Sequence, residues 1–122
     1  MLFKPSMKKL LAARGYHHSR DDDEFTLHGE YARNLQYAFS KEFVGPHEKI
    51  VDIIFLGADM VSEKLTIGFI RENVSIQNGI LLNESVTIPF AKISHKELER
   101  QLDRMIPQGN PLSSQHGQPD RF

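Results

Sequence analysis

The sequence predicts an α+β domain: a helix, then an antiparallel meander sheet of about five to seven strands, then a second helix packed on one face of that sheet. Helical periodicity occurs only towards the two ends of the chain, and the middle is a succession of short segments that alternate apolar and polar residues. No helical pattern separates these segments, so consecutive strands are expected to pair as antiparallel neighbours. The chain of 122 residues suffices for a single domain, residues 1–106, followed by a disordered tail, residues 107–122.

The first helix is predicted over residues 5–14. Pro5 suits the first turn, where a missing N–H costs nothing. Apolar residues follow at helical spacing: Met7, Leu10 and Leu11. Gly15 then fits the left-handed position that ends many helices, with Tyr16 as the apolar residue just beyond it.

A polar segment, residues 17–24, is predicted to be a turn. Alternation of apolar and polar residues then predicts short strands at 25–28, 34–40, 50–56, 65–69, 74–76 and 86–90. The segment 50–56 is apolar on both faces apart from Asp52, which is typical of a central strand covered on both sides.

Two turn signals define the end of the sheet. Asn78-Gly79 predicts a hairpin with a two-residue turn, which would place Ile76 opposite Leu81. Pro89 cannot donate to a neighbouring strand, so it indicates that the strand at 86–90 lies at or near an edge.

The last helix carries both a start signal and an apolar stripe. Ser94 and Glu97 form a capping box, in which each side chain can bond the other residue's backbone N–H. The stripe at i, i+4, i+7 and i+8 consists of Leu98, Leu102, Met105 and Ile106. Pro107 stops the helix, and the Pro- and Gly-rich remainder predicts the disordered tail.

Composition excludes several classes of function. Lys and Arg total 15 against 16 Asp and Glu, a net charge of −1, so the chain lacks the one-signed field of a dedicated nucleic-acid binder. It has no Cys, which excludes disulfides, zinc ribbons, iron–sulfur clusters and a Cys nucleophile. We therefore expect a cytoplasmic protein, and no apolar run long enough for a membrane span is present.

Four residues are candidate metal ligands: His17, Asp21, His28 and Asp52. Imidazole and carboxylate suit Zn²⁺, Mn²⁺ or Fe²⁺, but neighbouring residues such as His17 and His18 point to opposite faces of a strand. We therefore favour a solvated acidic turn here and predict neither a metal nor another cofactor.

Asp52 in its apolar strand resembles the first acid of the PD-(D/E)xK nucleases. The resemblance covers this one residue, because no acid or Gln after Asp52 is followed by Lys two positions later. We interpret Asp52 instead as a carboxylate near a strand start that faces water or an Arg such as Arg33.

The leading hypothesis is a non-enzymatic protein-binding module with no catalytic residue. In size and layout the chain resembles small cytoplasmic α+β binding proteins of bacteria and their mobile elements, such as toxin-immunity or inhibitor proteins. The predicted surface for a partner protein or a second copy is the ribbon 74–90, which pairs an apolar run with an edge strand. Its predicted contact residues are Val74, Ile76, Ile80, Leu81, Leu82, Val86 and Ile88.

Other assignments stay open. Helices of the same chain could cover this ribbon. The chain could also be a small metal-assisted hydrolase or nuclease that uses His17, Asp21, His28 or Asp52. A nucleic-acid accessory protein acting through Lys4, Lys8 and Lys9 is a third class, and an assembly component is a fourth.

Overall fold

The computed structural model describes residues 3–21 and 34–112, with side chains over residues 5–18 and 37–112. The elements in chain order are α1 (Phe3–Ala13), β1 (His17–Asp21), β2 (Asn34–Val44), β3 (Lys49–Asp59), β4 (Lys64–Asn73), β5 (Ile80–Pro89), a 3₁₀ turn (Phe90–Lys92) and α2 (His95–Met105).

The five strands form one sheet in the order β1-β2-β3-β4-β5, and each strand is antiparallel to the next. This meander, with a helix at each end, confirms the α+β class. The position of β5 at the edge agrees with the prediction from Pro89.

β1 corrects the first part of the turn predicted at residues 17–24, since residues 17–21 form a strand and residues 22–24 lie outside the described part. Its backbone pairs with β2, with His17 opposite Ser40 and Asp21 opposite Tyr37. An edge strand tolerates polar side chains, so the sequence HHSRD carries no apolar alternation that would reveal it. The strand predicted at 25–28 lies outside the described residues.

One face of the sheet forms the core. Both helices contribute to it, and its largest fully buried side chains include Phe39, Phe69, Met7, Leu11, Leu98 and Leu102. Along β3, Ile54 and Leu56 are fully buried on this face, whereas Phe55 between them is 42% exposed. The prediction that β3 is covered on both sides is therefore wrong, because α1 and α2 both pack against the same face.

The C-terminus of α1 has the predicted glycine. Gly15 has φ of +87°, its N–H donates to the Ala12 carbonyl, and the N–H of Tyr16 donates to the Leu11 carbonyl. These are the two bonds of the Schellman motif, which satisfies carbonyls at a helix end. The motif turns the chain so that Tyr16 enters the core.

The connection between β4 and β5 differs from the predicted two-residue turn. It spans residues 74–79, Asn73 N–H donates to the Gly79 carbonyl, and Ile80 lies opposite Glu72. A Cβ at Gly79 would clash with the Asn73 carbonyl oxygen, so this position requires glycine for close approach. Thus Asn78-Gly79 marks the hairpin correctly, but its loop is longer than the dipeptide indicates.

α2 has the predicted N-cap: the Ser94 hydroxyl accepts the Glu97 N–H at 3.1 Å. The Glu97 carboxylate does not complete the box, since it accepts hydrogen bonds from Arg100 and Gln101. The predicted stripe is confirmed, with Leu98, Leu102 and Met105 buried. Neither helix in the described ranges is long and apolar enough to cross a membrane.

Only the first part of the predicted tail is described. Residues 107–112 are described, and Leu112 is only 8% exposed. Its methyl groups lie 3.4 Å from the position that a Cβ would take at Gly45, so Leu112 packs beside the β2–β3 turn. Residues 113–122 lie outside the described part.

Candidate functional site

The most distinctive polar group is a buried cluster of Tyr16, Asp52 and Arg71, which we call the ionic cluster. Arg71 donates from Nε to Asp52 Oδ1 at 2.7 Å and from Nη2 to Oδ2 at 2.9 Å. The Tyr16 hydroxyl donates to the same Oδ2 at 2.9 Å. Asp52 is fully buried, so all of its hydrogen bonds come from within the protein.

Register explains why these side chains meet. Asp52 lies directly opposite Arg71 in the β3–β4 pair, and both side chains point to the helix-covered face. Tyr16 reaches them because the Schellman motif directs the chain into the core after α1. The ionic cluster therefore ties the end of α1 to the two central strands.

The surroundings of the ionic cluster are aromatic and cationic. The Arg71 guanidinium lies 5.6 Å from the ring centre of Phe43 and 5.9 Å from that of Phe69. Lys41 Nζ lies 5.7 Å from the ring centre of Tyr16 and donates to the Arg14 carbonyl, near the negative end of α1.

Burial and charge shift two pKa values in the ionic cluster. Burial raises the pKa of the Tyr16 phenol far above its ordinary value, and the negative charge and acceptor of Asp52 raise it further. The hydrogen bonds to Asp52 likewise raise the pKa of Arg71. Tyr16 therefore stays a neutral donor and Arg71 a cation at physiological pH, which is the combination that a buried carboxylate requires.

This geometry suits a structural role for Asp52. Both carboxylate oxygens are already hydrogen-bonded, and neither reaches solvent, whereas a nuclease acid must face a metal and a substrate. The interpretation that Asp52 faces water was wrong. Its partner is an Arg, as the alternative predicted, but the cation is Arg71, and Arg33 lies outside the described residues.

The other candidate metal ligands are only partly described. His17 lies opposite Ser40. His18 lies opposite Phe39 and stacks on its ring, with 4.8 Å between the two ring centres. The two imidazoles thus occupy opposite faces, as predicted. Asp21 is at the end of β1 with an undescribed side chain, and His28 is outside the described residues. Among described residues, no group of three or more His, Asp or Glu side chains could hold a metal ion.

The basic residues near the N-terminus are only partly described. Lys8 and Lys9 are exposed on α1, and the side chain of Lys4 lies outside the described part. Directly after this helix, Arg14 forms an ion pair with Asp103 of α2 at 2.8 Å. The described portion of this helix therefore carries two solvent-facing lysines.

The end of the β4–β5 hairpin exposes apolar side chains. Its members are between 45% and 56% exposed, and we call them the hairpin cluster: Val74, Ile76, Ile80 and Leu81. Leu81 has no partner in the β4–β5 register, because Ile80 pairs with Glu72 and Leu82 with Arg71. Leu81 is thus the extra residue of a bulge, and such a residue leaves the ladder.

The remaining three residues of the predicted partner surface face inward. Ile88 belongs to the buried core and is 5% exposed, while Leu82 and Val86 are half-buried and pack against that core. The β5 strand alternates its side chains, so one face of the ribbon serves the fold. The fold already uses these three positions, so the strongly exposed part of the predicted surface is the hairpin cluster.

Sequence reasoning missed Tyr16 and Arg71 as partners of Asp52. An acid inside an apolar strand indicates a buried cation, but the neighbouring predicted strands, 34–40 and 65–69, contain no Lys or Arg. The register that places Arg71 opposite Asp52 depends on the length of the β3–β4 turn. The predicted strands, 50–56 and 65–69, leave a turn that is several residues longer than the observed one.

Searches of protein-family models, curated proteins and solved structures found no match to this chain.

Proposed function

We propose that this protein is a non-enzymatic protein-binding module, and that the hairpin cluster is the centre of its binding surface. The observation that carries this proposal is the exposure of four large apolar side chains at one end of the hairpin. Contiguous exposed apolar groups are characteristic of interaction sites, because hydration of such a patch is unfavourable unless another molecule covers it.

The position of the hairpin cluster supports binding without disturbance of the fold. Leu81 is a bulge residue, and Val74 and Ile76 lie in the connection between strands. Val44 lies at the same end of the sheet, since it pairs with Lys49, whose carbonyl accepts the Val74 N–H. Val44 is also strongly exposed, so the apolar surface extends beyond the hairpin.

The finer proposal is an inhibitor or immunity-type protein that acts in the cytoplasm by occupying its partner. Its support is the enclosed ionic cluster, which offers Asp52 no access to a substrate, together with the lack of cysteine. We expect the activity of a captured partner enzyme to fall when the purified chain is added in equimolar amount.

The test compares two matched baits for affinity capture from source cells. Leu81→Glu places a charge in the hairpin cluster, and Val61→Glu places one at another exposed apolar residue, in the β3–β4 turn, where Val61 is 62% exposed. We expect a stoichiometric partner with the wild-type chain and with Val61→Glu, and its loss with Leu81→Glu. Capture by all three baits, or by none, contradicts the proposal.

A further inference from the structure

The outer edge of β5 has a regular set of unpaired backbone groups. The Phe90 N–H points towards the β4 side of β5 and donates to the Glu63 carbonyl at 2.9 Å. Hydrogen-bonding direction alternates along an antiparallel ladder, so the N–H and C=O groups of Asn83, Ser85 and Thr87 point away from β4. Within residues 3–21 and 34–112, no strand pairs with this edge.

A groove lies beside the same edge, between β5 and the N-terminal half of α2. It measures about 380 Å³. Its main lining residues are Val86, Ile88, Lys92, Glu97, Arg100 and Gln101. A chain paired with β5 would point every second side chain towards this groove, because side chains alternate between the two faces of a strand.

The charges of the residues that line the groove favour an acidic occupant, and Glu84, the one charged side chain of β5, is not among them. The Glu97 carboxylate is already paired, as it accepts two hydrogen bonds from Arg100 and one from Gln101. The other acids of α2, Glu99 and Asp103, face Arg14 just after α1. Lys92 is exposed and has no ion pair with any described residue, so it is available to a carboxylate.

We propose that the β5 edge binds an extended acidic peptide segment of the partner protein by strand addition. The backbone groups of Asn83, Ser85 and Thr87 supply the ladder, and Lys92 pairs with an acidic side chain of the peptide over the groove. Pro89 ends this ladder, since its nitrogen has no hydrogen to donate at the outward position. The inference rests on the proposed function and specifies the partner segment.

The test uses phage-displayed random decapeptides selected on the full chain. We expect the selected peptides to combine β-branched residues with at least one acid. Bound peptide should slow amide exchange at Ser85 and Thr87 in nuclear magnetic resonance spectra. Ser85→Pro removes one outward N–H without loss of a bond to β4, and it should abolish binding.

A charge reversal provides the second variant. Lys92→Glu should weaken binding of the selected acidic peptide by about tenfold, whereas Lys8→Glu, a change at an exposed lysine on α1, should leave its affinity unchanged. Selected peptides without acids, or full affinity in both Ser85→Pro and Lys92→Glu, overturn the inference. A dimer that Ser85→Pro converts to a monomer also overturns it, because a second copy then occupies the edge.

The same variant separates this inference from the proposed function. If partner capture is lost with Leu81→Glu but retained with Ser85→Pro, the hairpin cluster binds the partner and strand addition is wrong. If neither variant changes capture, the proposed function fails as well.

Discussion

Two regions of this sheet reverse the usual distribution of polar and apolar groups. In the middle, β3 and β4 bury the charges of Asp52 and Arg71 under the helices. At the end of the β4–β5 hairpin, the same sheet exposes isoleucine and leucine to solvent. The buried charges are fully paired, whereas no described part of the chain covers the exposed apolar groups. The ionic cluster therefore suits a role in stability, and we propose that the hairpin cluster serves binding.

The largest effect is expected from breakage of the ionic cluster. Arg71→Met leaves a buried carboxylate without its cation, and it should lower the free energy of unfolding by about 3–5 kcal/mol in urea denaturation. The double variant Asp52→Leu with Arg71→Met should recover much of this loss, because an apolar pair needs no charge compensation. A double variant no more stable than Arg71→Met would show that the pair contributes more than mutual neutralisation.

In α2, the contribution of core packing to stability can be compared with that of the N-cap. Leu102→Ala removes a fully buried side chain of α2 and should cost about 2–5 kcal/mol. Ser94→Ala removes only the N-cap and should cost about 0.5–2 kcal/mol. Both values come from urea denaturation. The reverse order would mean that α2 is held by its first turn more than by its stripe.

The variant Tyr16→Phe tests the ionic cluster through its free energy of unfolding and the pH dependence of that free energy. At neutral pH it removes one donor from buried Asp52 and should cost about 1–3 kcal/mol. The folded-state pKa of Tyr16 is raised above its ordinary value of 10.0, so the contribution of this phenol is complete below pH 10.

The pH dependence of that contribution has a definite sign. Above pH 10 the unfolded chain releases the Tyr16 proton and the folded chain keeps it, so stability falls by about 1.4 kcal/mol per pH unit from this group alone. The stability difference between wild type and Tyr16→Phe should therefore shrink as the pH rises through the alkaline range. A constant difference would mean that the folded phenol ionises normally.

The smallest effect on stability is expected at the hairpin cluster. Leu81→Glu changes an exposed bulge residue, so its free energy of unfolding should lie within about 0.5 kcal/mol of the wild-type value. Val61→Glu provides the matched exposed control. Unfolding of Leu81→Glu would place Leu81 in the core and remove the contrast between the two regions.

The sequence predicted the elements that periodicity specifies. The stripe of α2, the glycine after α1 and the edge position of Pro89 all follow from local chemistry. β1 was not predictable in this way, because its residues are polar and only pairing with β2 makes them a strand. The partner of Asp52 depends on a register set at a distance, and the exposure of Leu81 depends on a bulge.

The most direct test of the account is the dissociation constant of the captured partner for Leu81→Glu and Tyr16→Phe, with the free energy of unfolding recorded on the same samples. We predict that Leu81→Glu weakens binding by about tenfold or more at unchanged stability. We predict that Tyr16→Phe lowers stability at unchanged affinity. The opposite result, weakened binding in Tyr16→Phe and full affinity in Leu81→Glu, would contradict the assignment of the two regions.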